Sequence, residues 1–429
     1  MTMIQSGKGF VDLFPPKSDV FTVIESTARD VFTRYGCREL RTPIIEFTEL
    51  FVRGIGDETD VVQKEMYSFP DRKGRSMTLR PEATAGVLRA CIQHKLLRQG
   101  DVLKFFTLGP MFRYERPQMG RQRQFHQINV EMLGASSPLV DVDMLFMLHR
   151  FLSEIGLTSL EYQLNSLGCP ACRPAFQASL ENHLRDANPD DLCDDCRRRM
   201  HTNPLRVLDC KVPGCRAVAQ GAPVITEHNC APCRTHFDAV IDLLGRSRLQ
   251  IRLNPMLVRG LDYYQGTTFE VVSTDIGAQS SVAGGGRYDG LIRQLGGPDM
   301  PGIGFACGLE RLAMLVPEQP EPGVDVFIVA QEESLLEKAL EIAQLLRSRR
   351  LSVEFPYAQR SMKSQMRSAN KAGARFVLML DKAGQDQCSV QLKDMGSGEQ
   401  QTLSEGHLAA YLEARIAEYS RAISRPGEQ

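Results

Sequence analysis

The chain has no apolar run approaching the roughly 20 residues needed to cross a bilayer. Its opening, MTMIQSGKGF, lacks the charged head and apolar core of a secretory leader. A dominant charge is missing too, because 51 Lys and Arg stand against 52 Asp and Glu, leaving −1 at pH 7. A basic field over the whole surface is therefore excluded, and any nucleic-acid contact must come from local basic patches. A cytoplasmic protein is expected. What is present is enough apolar side chain, 42%, to build real cores. At 429 residues the chain is too long for one ordinary domain, so two or three are expected.

The densest polar stretch is Phe105–Gly134, FFTLGPMFRYERPQMGRQRQFHQINVEMLG. Phe105–Leu108 reads as a short apolar strand that breaks at Gly109-Pro110. A loop carrying Arg113, Arg116, Arg121 and Arg123 follows, and the return alternates Ile128, Val130 and Met132 with polar residues. Strand, basic loop and strand predict a hairpin whose period-two return sets Gln127, Asn129 and Glu131 on one face. Amides and a carboxylate on a sheet face are costly unless they bind something. Fixed guanidinium groups above them suit a polyphosphate or a nucleic-acid backbone. The plainer alternative is a solvated hairpin with its arginines paired to surface carboxylates.

Before this stretch, Val20, Val23, Ile24, Ala28, Val31 and Phe32 fall at helical spacing between Ser18 and Tyr35. The chain then reads as extended over Glu39–Glu46, with Pro43 favouring an edge or an interface. In Met77–Ala90, MTLRPEATAGVLRA, a strand ends at Arg80-Pro81 and a helix begins near Thr84. Glu82 stands at the junction, either offsetting the helix dipole or projecting into a pocket. Leu257–Val272, LVRGLDYYQGTTFEVV, reads as strand, turn and strand. The glycines of Ala283–Leu291, AGGGRYDGL, let backbone come close to a ligand. Gly302–Leu315, GIGFACGLERLAML, reads as a strand entering a helix with Arg311 in its first turns.

Eight of the twelve cysteines lie in a mixed, partly helical insertion over residues 165–250: Cys169, Cys172, Cys193, Cys196, Cys210, Cys215, Cys230 and Cys233. Paired thiols at such spacing in a cytoplasmic protein read as zinc ligands rather than disulfides. Two closed sites of four thiolates would use all eight, as a structural clamp. Which cysteines would share an ion is open, and a metal-free insertion is the alternative.

Pro-rich residues 317–323 read as a hinge. Beyond it, over 324–429, strands at Val324–Ala330, Leu351–Phe355, Arg375–Leu380 and Ser389–Lys393 alternate with helices at Ser334–Arg349 and Ser361–Ala372, and a last helix spans Glu405–Ser420. This predicts a small α/β domain with a mostly parallel sheet. Arg360, Lys363, Arg367, Lys371 and Arg375 recur three or four apart, as either a solvated stripe or a phosphate-binding one.

These stretches resemble one known family. Phe112–Gln127 is similar to motif 2 of class II aminoacyl-tRNA synthetases, in the FRxERPQxGRxRxFxQ form of the histidyl-tRNA synthetases. The first helix and Pro43 stretch look like motif 1, the dimer interface, and Gly302–Leu315 like motif 3. LRPEATAG resembles that family's LRPEGT, with Ala83 in place of Gly. LVRGLDYY and GGGRYDGL resemble its own signature peptides. The cysteines of the insertion depart from the pattern. The resemblance implies an α+β antiparallel-sheet catalytic core over 1–316 and an anticodon-binding domain over 324–429. It implies a ligase that joins L-histidine to tRNA(His) through a histidyl-adenylate, using ATP with Mg²⁺, as a homodimer.

It further implies roles by position. Glu82, Thr84 and Gln127 hold the α-ammonium, Glu131 with Tyr264 reads the imidazole, and Tyr263 and Tyr288 line its pocket. Phe125 and Glu115 take adenine. Arg113 and Arg259 flank the α-phosphate as the catalytic pair, and Arg311 grips the γ-phosphate. Gln118, Arg121 and Arg123 reach the tRNA acceptor end, while Arg360, Lys363, Arg367 and Lys371 meet RNA in the last domain. The alternative within the same family is the synthetase-like, histidine-sensing regulatory subunit of ATP phosphoribosyltransferase. Such proteins generally lack the last domain and erode the ATP-gripping arginines.

Overall fold

Helical spacing near the N-terminus becomes α1 (Lys17–Arg34), which buries Phe21, Ile24, Ala28, Val31 and Phe32. In this computed structural model, which describes residues 3–247, 249–275, 281–317, 323–383 and 389–423, Phe32 is fully buried. Its ring lies 5.6 Å from Phe106, 5.4 Å from Phe151 and 5.9 Å from Phe305. Burial of such a ring is worth about 1.5–3 kcal/mol, so α1 is fastened at its C-terminal half. The chain divides into two compact units, Met1–Glu318 and Gln319–Gln429. Of the expected hinge, residues 318–322 lie outside the described residues.

The extended run expected over Glu39–Glu46 divides. Strand β1 (Arg38–Glu39) pairs in parallel with Phe105–Phe106 of the large sheet, while β2 (Ile45–Phe47) joins β3 (Tyr67–Pro70) and β4 (Ser76–Leu79) in a small sheet of order β2-β4-β3. Pro43 falls at the crossing, where no ladder donor is required. Helix α2 (Thr48–Ile55) follows β2, and α3 (Thr84–Gln93) follows β4.

The hairpin is β5 (Leu103–Phe112) and β6 (Gln124–Leu133), registered from Leu103 opposite Leu133 to Phe112 opposite Gln124. The expected break at Gly109-Pro110 is not there. Beyond Phe106 the outer edge of β5 has no strand neighbour, and Phe112 N–H points outward to Arg80 O at 3.0 Å. Pro110, two residues earlier, shares that outward parity, so its missing N–H costs no ladder bond. Arg80 Nε donates to Pro110 O at 2.9 Å, and a side chain at Gly109 would overlap the Arg80 guanidinium.

Helix α4 (Pro138–Glu154), capped by the Ser137 hydroxyl, leads to β7 (Glu161–Ser166). The insertion contributes α5 (Arg173–Asp186), α6 (Asp194–Thr202) and α7 (Pro213–Gln220), and α8 (Ala231–Gly245) returns to β8 (Ile251–Leu253). Then come β9 (Gln265–Val272), β10 (Ser281–Arg287), α9 (Leu291–Gln294), β11 (Gly302–Gly308) and α10 (Leu309–Ala313). The large sheet runs β1-β5-β6-β11-β10-β9-β7-β8, antiparallel except for β1 with β5 and β7 with β8. Its apolar face, with Ile128, Val130, Met132, Phe269 and Phe305, packs beneath side chains of α1, α4 and α8. Alternation then obliges Gln127, Asn129 and Glu131 to share the opposite face. Residues 257–264 form no strand, contrary to the strand-turn-strand reading. The start of the segment is held from the side instead, Asn165 Nδ2 donating to Leu257 O at 2.9 Å and, just before it, to Pro255 O at 3.1 Å.

The second unit holds β12 (Val326–Ala330), α11 (Leu336–Ser348), β13 (Val353–Glu354), α12 (Met362–Lys371), β14 (Phe376–Leu380), β15 (Ser389–Asp394), β16 (Gln400–Ser404) and α13 (Glu405–Ile423). Its sheet, ordered β13-β12-β14-β15-β16, has two parallel and two antiparallel pairings. It is thus mixed, not mostly parallel. Strand β16 had no apolar period to announce it, because QQTLS is polar and largely exposed. Arg360, Lys363, Arg367 and Lys371 are exposed. Arg375 leaves the expected stripe by pairing with Asp325 at 3.3 Å.

Candidate active site

A cleft of about 1290 Å³ opens on the polar face of the large sheet, larger than the roughly 300–1,000 Å³ of a typical small-ligand pocket. Just beneath its lining is Glu131, about 1% exposed. Thr84 Oγ1 donates to Glu131 Oε1 at 2.7 Å, and the Tyr288 hydroxyl donates to Oε2 at 2.5 Å. Burial pushes this carboxyl up to about 8 despite both bonds. The glycine of β11 makes the placement possible, for a side chain at Gly304 would overlap the Glu131 carboxylate. Tyr263 and Tyr264 close the pocket, with ring centres 4.7 Å apart and Tyr263 5.8 Å from Tyr288.

Glu82 is buried at the start of α3 and accepts from the backbone N–H groups of Thr84 at 2.7 Å and Ala85 at 2.8 Å. It thus caps the helix, as the plainer reading held, while still lining the cleft. Burial raises its pKa. Gln127 Oε1 and Asn129 Oδ1 are buried with no partner among the described residues. Such acceptors are costly unless a ligand donates to them.

Cations rim the rest of the cleft. Arg113 donates through Nε to Pro81 O at 2.9 Å, and its guanidinium carbon lies 5.5 Å from the centre of the Phe125 ring. Arg259 makes an ion pair with Glu270 at 3.4 Å and lies 5.5 Å from the Tyr264 ring. Its Nε is buried without a partner among the described residues. Gly284 of β10 lets that guanidinium lie against the backbone, where any side chain would collide with it. Arg311 donates to Gly120 O at 3.2 Å and to Ser281 O at 2.6 Å. Burial, with Arg121 nearby, lowers its pKa, which a bound polyanion would reverse.

The structure therefore brings together Glu82, Thr84, Arg113, Glu115, Arg121, Phe125, Gln127, Arg259, Tyr263, Tyr264, Tyr288 and Arg311 around one cleft, with Glu131 sealed beneath it. It leaves Gln118 and Arg123 outside the lining. Gln118 closes the hairpin tip against Arg121, and Arg123 packs 3.9 Å over the Tyr114 ring. Arg121 forms an ion pair with Glu115 at 3.2 Å. Sequence reasoning missed Glu270, which faces Arg259, and the insertion residues Arg206, Lys211 and Arg216, which also line the cleft. The basic residues around Asn203–Lys211 were the signal for the latter. Among the described residues, no helix is long and apolar enough to cross a membrane.

An antiparallel sheet with a polar face, a buried carboxyl beneath it and a large cleft rimmed by arginines fit a class II aminoacyl-tRNA synthetase core, here followed by an anticodon-binding domain. A sequence profile described as histidyl-tRNA synthetase matches residues 9–312, and one described as anticodon binding domain matches 325–415. The chain belongs to the histidyl-tRNA synthetase family. It is 57% identical to a histidine–tRNA ligase of Nitratidesulfovibrio vulgaris, over 96% of this chain and 99% of that one. The ligase of Solidesulfovibrio magneticus is 56% identical, over 97% and 99%. The crystal structure of apo S. aureus histidyl-tRNA synthetase is 33% identical, with a TM-score of 0.79, covering 96% of this chain and 100% of that one.

Proposed function

We propose that the chain catalyses ATP-dependent ligation of L-histidine to tRNA(His). Histidine's α-carboxylate attacks the α-phosphorus of ATP and pyrophosphate departs. A terminal ribose hydroxyl of the tRNA then attacks the acyl carbon and AMP departs. The observation that carries the reading is the buried Glu131 carboxyl, held by Thr84 and Tyr288 directly beneath a cleft rimmed by arginines. A carboxylate in that place accepts from an imidazole N–H, with Tyr264 as second partner and Tyr263 and Tyr288 as walls.

Gln127, with Glu82 and Thr84, takes the α-ammonium; the unpartnered Gln127 Oε1 supports this. Phe125 stacks on adenine, with Glu115 accepting from its amine. Arg113 and Arg259 flank the α-phosphate, where negative charge grows during attack, and pre-placed cations lower that barrier. Arg311 takes the γ-phosphate, and Mg²⁺ supplied with ATP would offset the remaining phosphate charge. Arg121, together with Gln118 and Arg123 nearby, meets the acceptor end of the tRNA, and Arg360, Lys363, Arg367 and Lys371 meet RNA phosphates in the second unit.

Two copies pair through the small sheet, where Ile45, Phe47 and Phe69, with Ile44 just before it, are 40–48% exposed. The eight cysteines of the insertion, which the fold gathers into two groups of four, hold structural zinc, in a cytoplasm whose reducing conditions keep the thiols available. The histidine-sensing regulatory reading is disfavoured, since Arg113, Arg259 and Arg311 are all present and the anticodon-binding match spans 325–415. The test is aminoacylation: purified protein with tRNA(His), ATP and labelled histidine must yield acid-precipitable histidyl-tRNA with AMP. Histidine binding without any transfer would return the regulatory reading.

A further inference from the structure

The insertion's eight cysteines form two groups. The sulfurs of Cys169, Cys172, Cys230 and Cys233 lie within 4.8 Å of one another, as do those of Cys193, Cys196, Cys210 and Cys215. Cys169 Sγ is 3.6 Å from Cys172 Sγ and 3.9 Å from Cys230 Sγ, and Cys193 Sγ is 3.9 Å from Cys210 Sγ. A tetrahedral zinc with bonds of about 2.3 Å sets its sulfurs about 3.8 Å apart, so these separations match the edges of such a site. Backbone donors complete each group. Cys230 N–H donates to Cys172 Sγ at 3.2 Å, and Cys193 N–H to Cys215 Sγ at 3.2 Å, as outer partners of a thiolate site do.

The first group sits where the insertion joins the catalytic sheet. Its ligands come from the turn before α5 and the entry to α8, so one ion would close the insertion at both ends. Its flanking residues hold the peptide that carries the pocket tyrosines. Arg173, next to Cys172, donates to the carbonyl of Tyr264 and, at 3.5 Å, to that of Asp262. Gly266 exchanges backbone bonds with the same turn, Leu167 N–H to Gly266 O and Gly266 N–H to Gly168 O, both at 2.8 Å. Asn229, before Cys230, donates to Ser166 Oγ at 3.2 Å. Since residues 257–264 belong to no strand, such lateral bonds decide where Tyr263 and Tyr264 stand.

We infer that zinc bound by Cys169, Cys172, Cys230 and Cys233 positions the histidine pocket through Arg173, which holds the Asp262–Tyr264 backbone in place. The inference rests on the zinc and histidine readings above. Arg173 is a positioning residue and contacts no substrate.

The test takes purified full-length protein and measures zinc by mass spectrometry and the Kd values for histidine and for ATP by calorimetry. The native chain should carry two zinc ions. Arg173→Gln should keep both while its Kd for histidine rises about tenfold, its Kd for ATP stays within about twofold, and Arg173→Lys recovers part of the loss. Titrating the native protein with a chelator gives the same reading without a substitution: histidine affinity should fall in step with zinc release. Histidine affinity unchanged in Arg173→Gln, or unchanged after both ions have left, would overturn the inference. Two zinc ions with no histidine binding in the native chain would instead sink the histidine reading. Fewer than two ions after reconstitution under reducing conditions would sink the zinc reading.

Discussion

Replacing Arg259 by Gln separates the chemical step from amino-acid binding. Arg259 meets the histidine pocket at its edge, with its guanidinium carbon 5.5 Å from the Tyr264 ring, and its Nε has no partner among the described residues. Its ion-pair partner Glu270 lies at 3.4 Å with a side chain 25% exposed, so water can take over that carboxylate. The cost to folding should therefore lie at the low end of the about 1.5–3 kcal/mol of a lost charged hydrogen bond. The cost to the transition state is larger, because a pre-placed donor at a developing oxyanion is worth about 10²–10³ in kcat, or about 2.7–4 kcal/mol. In histidine-dependent ATP–pyrophosphate exchange, kcat should fall by that factor with KM for histidine within about threefold. A KM that rises as steeply as kcat falls, or a kcat loss under about tenfold, would refute the assignment of Arg259 to the phosphate.

Glu131 predicts a pH effect. Its carboxyl is held at about 8 against an ordinary 4.5, so between those values the folded chain keeps a proton that the unfolded chain has lost. This contribution makes stability fall as pH rises through that window. Ligand-free Glu131→Gln should show a smaller drop in Tm between pH 6 and 8.5 than the native protein, and should bind histidine at least about 100-fold more weakly by calorimetry. Gly304→Ala should lose about 1–3 kcal/mol in denaturant melts through overpacking, with histidine activation falling further than ATP binding, because the new methyl overlaps Glu131. Lys363→Glu with Arg367→Glu should weaken tRNA binding and reduce its salt slope by about one per residue. The same change should leave pyrophosphate exchange untouched.

The polar face of the hairpin was legible because alternation in a strand is a local property, and Gln127, Asn129 and Glu131 do share one side. The break at Gly109-Pro110 was misread because an open strand edge, which excuses a proline, is a fact about neighbours rather than sequence. Residues 257–264 do not form the expected strand for a related reason: they are held by side chains of a distant segment, Asn165 on Leu257 O and Arg173 on Asp262 O and Tyr264 O. The cysteine grouping was likewise illegible, since it depends on α8 returning beside the start of α5. Arg375 shows the limit of a periodic stripe, because spacing cannot reveal that Asp325 already holds it.

The most direct measurement is ATP–pyrophosphate exchange with each of the twenty amino acids in turn. Exchange with histidine, and none above background with the others, is the result that a pocket floored by Glu131 and rimmed by Arg113, Arg259 and Arg311 predicts. Exchange with another amino acid, or none at all from folded protein that binds ATP, would contradict it.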